Sequence, residues 1–192
     1  MKNILILAGP SAVGKTTLAH TLLKRDGRFE LVRSVTSRSP RGDSFDEEYI
    51  YIKKEEFDNL IDAGGVLEYT EYAGNFYGTP RSEIDRICSE GKVPLLILDL
   101  NGVMSVVSGA ADVSPCAVYI YAPEEVLYMR LKERYGADTE RLESRLLQNR
   151  ADHQRFLSVR DNFFATTENT GNVEESASEI QKIFNRFQCL HS

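Results

Sequence analysis

Near the N-terminus, Gly9-Pro10-Ser11-Ala12-Val13-Gly14-Lys15-Thr16 matches the pattern G-x-x-x-x-G-K-[ST] at every fixed position. Gly9 and Gly14 let the backbone curl so that several N–H groups point inward, at the start of a helix that already favours anions. Lys15 adds a mobile positive charge for terminal phosphates, and the Thr16 hydroxyl is placed to ligate Mg²⁺. These residue types in this order predict a loop that grips a nucleoside triphosphate.

Other residues could handle phosphate as well. Arg38 and Arg41 lie in a polar stretch broken by Pro40 and Gly42. Arginine is suited to bidentate phosphate recognition, and an enzyme that moves a phosphoryl group must hold two phosphate-bearing substrates. Pro94-Leu95-Leu96-Ile97-Leu98-Asp99 reads as a buried strand ending in an acid, the usual form of the carboxylate that lies near Mg²⁺. Between residues 130 and 155 stand Arg130, Arg134, Arg141, Arg145, Arg150 and Arg155. Most of these read as a solvated helix face eased by Glu140 and Glu143, with one to three available to clamp phosphates. Cys88, Cys116 and Cys189 have no metal or redox spacing and read as reduced thiols of a cytoplasmic protein. His20, His153 and His191 form no ligand pattern.

The elements that must position these groups alternate between strand and helix, which predicts an α/β fold with a mainly parallel sheet. Asn3–Ala8 is a short apolar run, as expected of a buried strand, and leads straight into the loop, so no leader peptide is expected. A helix should run from Lys15 to Lys24 and a strand from Phe29 to Ser34. Glu48–Ile52 alternates like a half-exposed strand, and Lys54–Ala63 reads as a helix with Phe57, Leu60 and Ile61 on one face. Val66–Tyr72, the turn at Ala73-Gly74-Asn75 and Phe76-Tyr77 suggest a small, mainly antiparallel inserted sheet. Thr79 and Pro80 look like the N-cap and first residue of a helix ending near Ser89. Ala117–Tyr121 is a further strand, helices follow from Glu124 to Arg134 and from Thr139 towards Arg160, and Phe163–Thr167 is a last short strand. Ile180, Ile183, Phe184 and Phe187 mark the core face of a terminal helix.

The 192 residues suffice for one domain with a substantial core. A net charge of −6 argues against a general nucleic-acid binder. No apolar run reaches membrane-spanning length, so no membrane contact is expected.

Taken together, these residues resemble the guanylate kinases over nearly the whole chain. Ser34…Arg38-x-x-Arg41 resembles the family signature S-x-x-T-R-x-x-R, with Ser37 where threonine is common. Glu48-Tyr49 resembles its D-Y pair. Glu68 followed by Gly74-Asn75-Phe76-Tyr77-Gly78-Thr79 resembles its E…G-N-x-Y-G-T segment, and Leu98-Asp99-Leu100-Asn101-Gly102-Val103 its L-D-x-x-G-[VA] strand end. The resemblance implies phosphorylation of GMP, and of dGMP, by ATP with Mg²⁺, in purine nucleotide metabolism. It implies a single domain over 1–192: a phosphate-loop kinase core (1–32, 82–125 and 153–192), a GMP-binding insertion (33–81) and a helical lid (126–152).

By position it assigns ATP to Gly9, Ser11, Ala12, Val13, Gly14, Lys15, Thr16 and Thr17. GMP falls to Ser34, Arg38, Arg41, Tyr49, Glu68, Tyr77, Thr79 and Asp99. Lys15, Arg38, Arg134 and Arg145 become the catalytic set, with Arg130 a weaker match to a lid arginine. The metal would lie by Thr16 and Asp99, the latter directly or through a water. The nucleotides would be the only partners of a monomer or homodimer.

The chemistry supports this independently. A nucleoside monophosphate brings its own anionic nucleophile, so no general base is required, and the sequence offers no obvious candidate for one. Glu68 would explain base choice, because a carboxylate only accepts hydrogen bonds, and guanine presents adjacent N1–H and N2–H₂ donors where adenine presents an acceptor. The chain departs from the family at the 42–47 loop, at Glu48, at Ile97, where an acid is frequent, and at Asn101, where glutamine is common. Two other readings follow: a nucleoside monophosphate kinase of different base preference, or a non-catalytic relative that binds phosphorylated peptides. The intact phosphate loop weighs against the second.

Overall fold

The computed structural model describes residues 1–40, 49–72, 74–109 and 111–191. In chain order the elements are β1 (Lys2–Ala8), α1 (Lys15–Arg25), β2 (Phe29–Leu31), β3 (Ser34–Thr36), β4 (Tyr49–Tyr51), α2 (Lys54–Asp62), β5 (Val66–Tyr72), β6 (Asn75–Pro80), α3 (Arg81–Ser89), β7 (Val93–Ile97), α4 (Leu100–Gly109), β8 (Val113–Tyr121), α5 (Glu124–Tyr135), α6 (Thr139–Val159), β9 (Ala165–Glu168) and α7 (Val173–Leu190).

The most apolar runs form a five-stranded sheet in the order β2-β7-β1-β8-β9, in which every pairing is parallel. Ile4 to Ala8 in β1 are all fully buried, as a central strand covered on both faces requires. Alternation sends Leu5 and Leu7 to one face, against Leu18 and Leu22 of α1 and Ile180 and Phe184 of α7. Ile4 and Ile6 face the other side, against Ile84 and Ile87 of α3, Val103 and Val106 of α4, and Phe156 of α6. The apolar stripe of α7 is therefore core, and truncating Phe184 would cost about 3–5 kcal/mol.

A second sheet has the order β4-β3-β6-β5. β5 and β6 form an antiparallel hairpin, β3 joins β6 antiparallel, and β4 runs parallel to β3. Phe57 of α2 is fully buried and stacks on Phe76 of β6, with ring centroids 5.2 Å apart.

Three local expectations are corrected. The strand foreseen over Phe29–Ser34 is two strands in two sheets. The Val32 N–H donates to the Leu95 carbonyl of the large sheet, and the chain then leaves for β3, with Arg33 paired to Glu83 at the crossing. Thr79 and Pro80 belong to β6, and α3 begins only at Arg81. Their backbones pair with Glu68 and Val66, and the Thr79 hydroxyl donates to Glu68 (2.7 Å) instead of capping a helix. The strand foreseen to end at Asp99 stops at Ile97, and α4 follows, with the Asp99 carboxylate accepting from the Gly102 N–H at 2.8 Å. Asp99 is thus a helix cap as well as a strand-end acid.

α6 is continuous from Thr139 to Val159, so it passes unbroken across residue 152. At its inner end the Phe156 ring lies flat on Tyr119 of β8, with centroids 3.6 Å apart and planes 4° from parallel.

Candidate functional site

The phosphate loop leaves the carboxyl end of β1 in a conformation that its glycines permit. Gly9 has φ 151°, and a Cβ there would lie 2.2 Å from the Ile120 carbonyl oxygen of β8. Gly14 has φ 99° and immediately precedes α1. Ala12, at φ 64°, is the only non-glycine residue with positive φ among the described residues.

What holds this shape is a donor for each outward carbonyl. Lys15 Nζ donates to Gly9 O (2.7 Å) and Pro10 O (3.0 Å). Asn149 Nδ2 donates to Ser11 O (3.1 Å), Arg130 donates to Val13 O (3.1 Å) and Ala12 O (3.5 Å), and Asn169 Nδ2 donates to Val13 O (2.7 Å). α1 carries no acidic residue in its first turn and no side-chain cap, so its leading N–H groups and dipole are left for an anion.

A cavity of about 390 Å³ opens over this loop, lined by Ser11, Ala12, Gly14, Lys15, Thr16, Thr17, Arg130, Arg134, Asn169 and Val173. Burial lowers the Lys15 ammonium pKa to about 8, against opposing pulls from Asp152 and Asp99, while Arg134 adds to the lowering. The lining carries Lys15, Arg130 and Arg134 and no acidic residue, so the cavity is electropositive.

The second sheet gathers the other expected residues. Arg38 follows β3, and its guanidinium lies 5.4 Å from the centre of the Tyr49 ring and 5.5 Å from that of Tyr51. It also donates to the Tyr51 hydroxyl at 3.1 Å. Tyr77 of β6 meets Tyr49 edge to face at 6.2 Å. Ser34, half-buried, is level with Tyr49 across the β3–β4 pair. One arginine among three tyrosines is a donor-rich setting for a phosphate monoester. Arg41 and Glu48 lie outside the described residues.

Glu68 sits on the neighbouring strand and is only 8% exposed, although carboxylates are rarely buried without a partner. Oε1 accepts from the Thr79 hydroxyl. Oε2 lies 3.1 Å from where a Cβ on Gly102 would stand, so the first turn of α4 closes over the carboxylate and leaves little room for a side chain there. Burial raises the Glu68 pKa, the Asp99 carboxylate raises it further, and the Thr79 hydrogen bond opposes both.

Asp99 acts electrostatically on Glu68 and on Lys15, so it stands between the two sets of residues. Of the departures noted in the sequence, Ile97 is half-buried and Asn101 exposed.

The arginines divide. Arg130 and Arg134, one turn apart on α5, reach the loop cavity, and Arg130 is fastened to the loop itself, also donating to Asn169 O (3.1 Å). Arg145, on α6, does not line that cavity. Arg150 is paired with Glu124, and Arg141 lies over the Tyr135 ring. The weaker sequence match, Arg130, is thus the arginine most tightly engaged with the loop.

Sequence reasoning missed Tyr51, Asn149, Asp152 and Asn169. Tyr51 had a readable signal, being two residues after Tyr49 and so on the same face of the strand. The other three lie more than 130 residues from the loop they serve, and nothing in their local pattern marks them.

Known proteins bear directly on this arrangement. The family model described as guanylate kinase matches residues 1–186. Similar proteins include a guanylate kinase of Synechococcus sp., 36% identical over 184 residues that cover 94% of this chain and 81% of that one. Another is a guanylate kinase of Wolbachia sp. subsp. Brugia malayi, 33% identical over 191 residues, covering 98% and 95% respectively. Among solved structures, the guanylate kinase from Anaplasma phagocytophilum superposes with a TM-score of 0.70 at 25% identity, covering 97% of this chain and 86% of that chain.

Proposed function

The chain belongs to the guanylate kinase family, and on that premise we propose that it transfers the γ-phosphoryl group of ATP to GMP, and also to dGMP, giving ADP and GDP or dGDP. The observation that carries the acceptor assignment is the buried Glu68–Thr79 pair, because the phosphate loop alone would serve any triphosphate-binding protein. An acceptor-only carboxylate, held by Thr79 and closed in by Gly102, suits the N1–H and N2–H₂ donors of guanine. The Arg38–Tyr49–Tyr51–Tyr77 cluster on the same sheet suits the 5′-phosphate, and Ser34 and Asp99 flank the base.

In the reaction, a phosphate oxygen of GMP bonds to Pγ as the bond from Pγ to the bridging oxygen breaks. The electron pair stays on that oxygen of ADP. No proton need be removed from the nucleophile, so the residues act by position and charge. The N–H groups of Gly14, Lys15, Thr16 and Thr17 receive the triphosphate. Lys15 leaves Gly9 O and Pro10 O to reach the terminal phosphates, and Arg130 and Arg134 add positive charge from α5. Arg38 serves the transferred group from the acceptor side, and Arg145 arrives when α5 and α6 close, excluding water from a site that would otherwise hydrolyse ATP.

Mg²⁺ fits this donor set. Among the described residues no group of three or more His, Cys, Asp or Glu could hold a metal by itself, which suits an ion carried chiefly by phosphate oxygens and finished by the Thr16 hydroxyl and exposed Asp99. When bound it would neutralise charge developing on the phosphates.

The partners proposed are these two nucleotides. No helix among the described residues is long and apolar enough to cross a membrane. A panel of GMP, dGMP, AMP, CMP and UMP with Mg²⁺–ATP tests the whole reading. Rapid ADP release with GMP and dGMP alone is expected. Turnover no greater than background ATP hydrolysis with GMP and dGMP would overturn it, and preference for AMP would overturn the role of Glu68.

A further inference from the structure

One contact joins the ATP loop to α6 through a residue that neither the loop motif nor the family signature includes. Asn149, on α6, makes two hydrogen bonds to a single residue 138 positions away. The Ser11 N–H donates to Asn149 Oδ1 at 2.8 Å, and Asn149 Nδ2 donates to Ser11 O at 3.1 Å. The side chain is 5% exposed, so this is a buried amide with both ends satisfied by one peptide segment.

The position of that segment gives the contact its meaning. Ser11 O belongs to the peptide that enters Ala12, the one non-glycine residue with positive φ among the described residues. A left-handed alanine costs about 1–2 kcal/mol and persists only where its surroundings impose it. Asn149 fixes the peptides on both sides of Ser11, and Arg130 and Asn169 fix those that follow. The Ser11 N–H is consequently turned to Asn149, so the phosphate-facing donors of this loop begin after it.

We propose that Asn149 is a positioning residue for the ATP loop: from α6 it imposes the Ser11–Ala12 backbone that directs the later N–H groups at the triphosphate. The inference rests on the ATP-dependent reading above. The same two bonds fix the register of α6 against the loop.

The test is Asn149→Ala, read by steady-state kinetics in both substrates and by calorimetric binding of ATP in the absence of acceptor. Losing both hydrogen bonds to a strained loop should raise KM for ATP, and weaken ATP binding, roughly tenfold. KM for GMP should stay within about twofold, because the acceptor sheet is not touched. A general loss of structure would move both substrates and the melting temperature together. Should the alanine variant fold poorly, Asn149→Asp keeps the size and the acceptor for the Ser11 N–H but opposes Ser11 O with an oxygen. It should fold and show the same selective loss for ATP.

An unchanged ATP affinity in either folded variant overturns the proposal, as does an equal loss for GMP. Because ATP binding is measured without acceptor, failure of the GMP assignment would leave this result readable, and absence of activity in the unmutated protein would point to that assignment instead.

Discussion

Replacing Glu68 by glutamine separates what this residue does for recognition from what it does for folding. Glutamine has the same shape, and its Oε1 can still accept from the Thr79 hydroxyl. The second terminal atom becomes an NH₂ donor, in the place where Oε2 stands under Gly102. A donor then meets a guanine donor, at a loss of about 2–4 kcal/mol of GMP binding, or roughly 30- to 1,000-fold in kcat/KM for GMP. KM for ATP should change little.

Stability should move the other way. Burial, and then Asp99, hold the Glu68 pKa above its ordinary 4.5 in the folded protein. The folded state therefore binds the proton more tightly than the unfolded chain does. That favours folding fully only below the unfolded value, and the advantage is lost as pH rises through the raised folded value. At about pH 8 the wild-type protein carries a buried charge that the glutamine variant lacks, so E68Q should melt higher there, with the difference shrinking towards about pH 4. The assays are a coupled kinase assay with GMP and thermal unfolding at the two pH values. A GMP kcat/KM within about threefold of wild type would refute the recognition argument, and a variant that melts lower at both pH values would refute the electrostatic one.

Other consequences can be checked in parallel. With the free-enzyme Lys15 pKa lowered to about 8, the cation that ATP needs is lost as pH rises past that value, so kcat/KM for ATP should fall by up to about tenfold per pH unit above it. The kcat profile should stay flat further up, because bound phosphates restore the charge; a flat kcat/KM through about pH 9 would contradict this. Gly9→Ala drives a methyl into the Ile120 carbonyl, a backbone atom that cannot step aside, and should abolish ATP binding and cost about 2 kcal/mol or more in stability. Gly14→Ala also strains a left-handed backbone, but its methyl meets a side-chain amide, that of Asn169, and not a carbonyl of a central strand, so it should be milder in stability, as paired denaturant melts would show. Tyr51→Phe removes the hydroxyl that accepts from Arg38 and should raise KM for GMP about three- to tenfold with KM for ATP unchanged; equal values for the two proteins would remove Tyr51 from the acceptor site.

The family and the reaction were legible because their signals are local. The phosphate loop is a contiguous motif, and the apolar runs of β1, β7 and β8 read directly as buried strands. Glu68 was legible only through the family signature, since its burial comes from Thr79 in the facing strand and Gly102 in a later helix. Thr79 itself misled: Thr-Pro before a charged, amphipathic stretch reads as a helix start, yet tertiary pairing with Glu68 keeps both residues in the strand. α4 is hard to read in the sequence because two glycines and several valines dilute its helical pattern, and its cap, Asp99, also fits a strand end. The supports of the loop, Asn149, Arg130 and Asn169, could not be read in advance, because each is defined by a backbone carbonyl far away in the chain.

The stacking of Phe156 on Tyr119 has a mechanical consequence. α6 is one rod, and its inner end is pinned to the central sheet at that ring pair. At 1.5 Å of rise per residue, Asn149 lies about 10 Å and Arg145 about 16 Å from the pivot. A tilt of about 10° would carry Arg145 some 3 Å, enough to enter or leave a phosphate's reach, and Asn149 about 2 Å, enough to part it from Ser11. The outer helix can thus swing only by straining the loop, so the lever and the phosphate grip are geared to each other through Asn149.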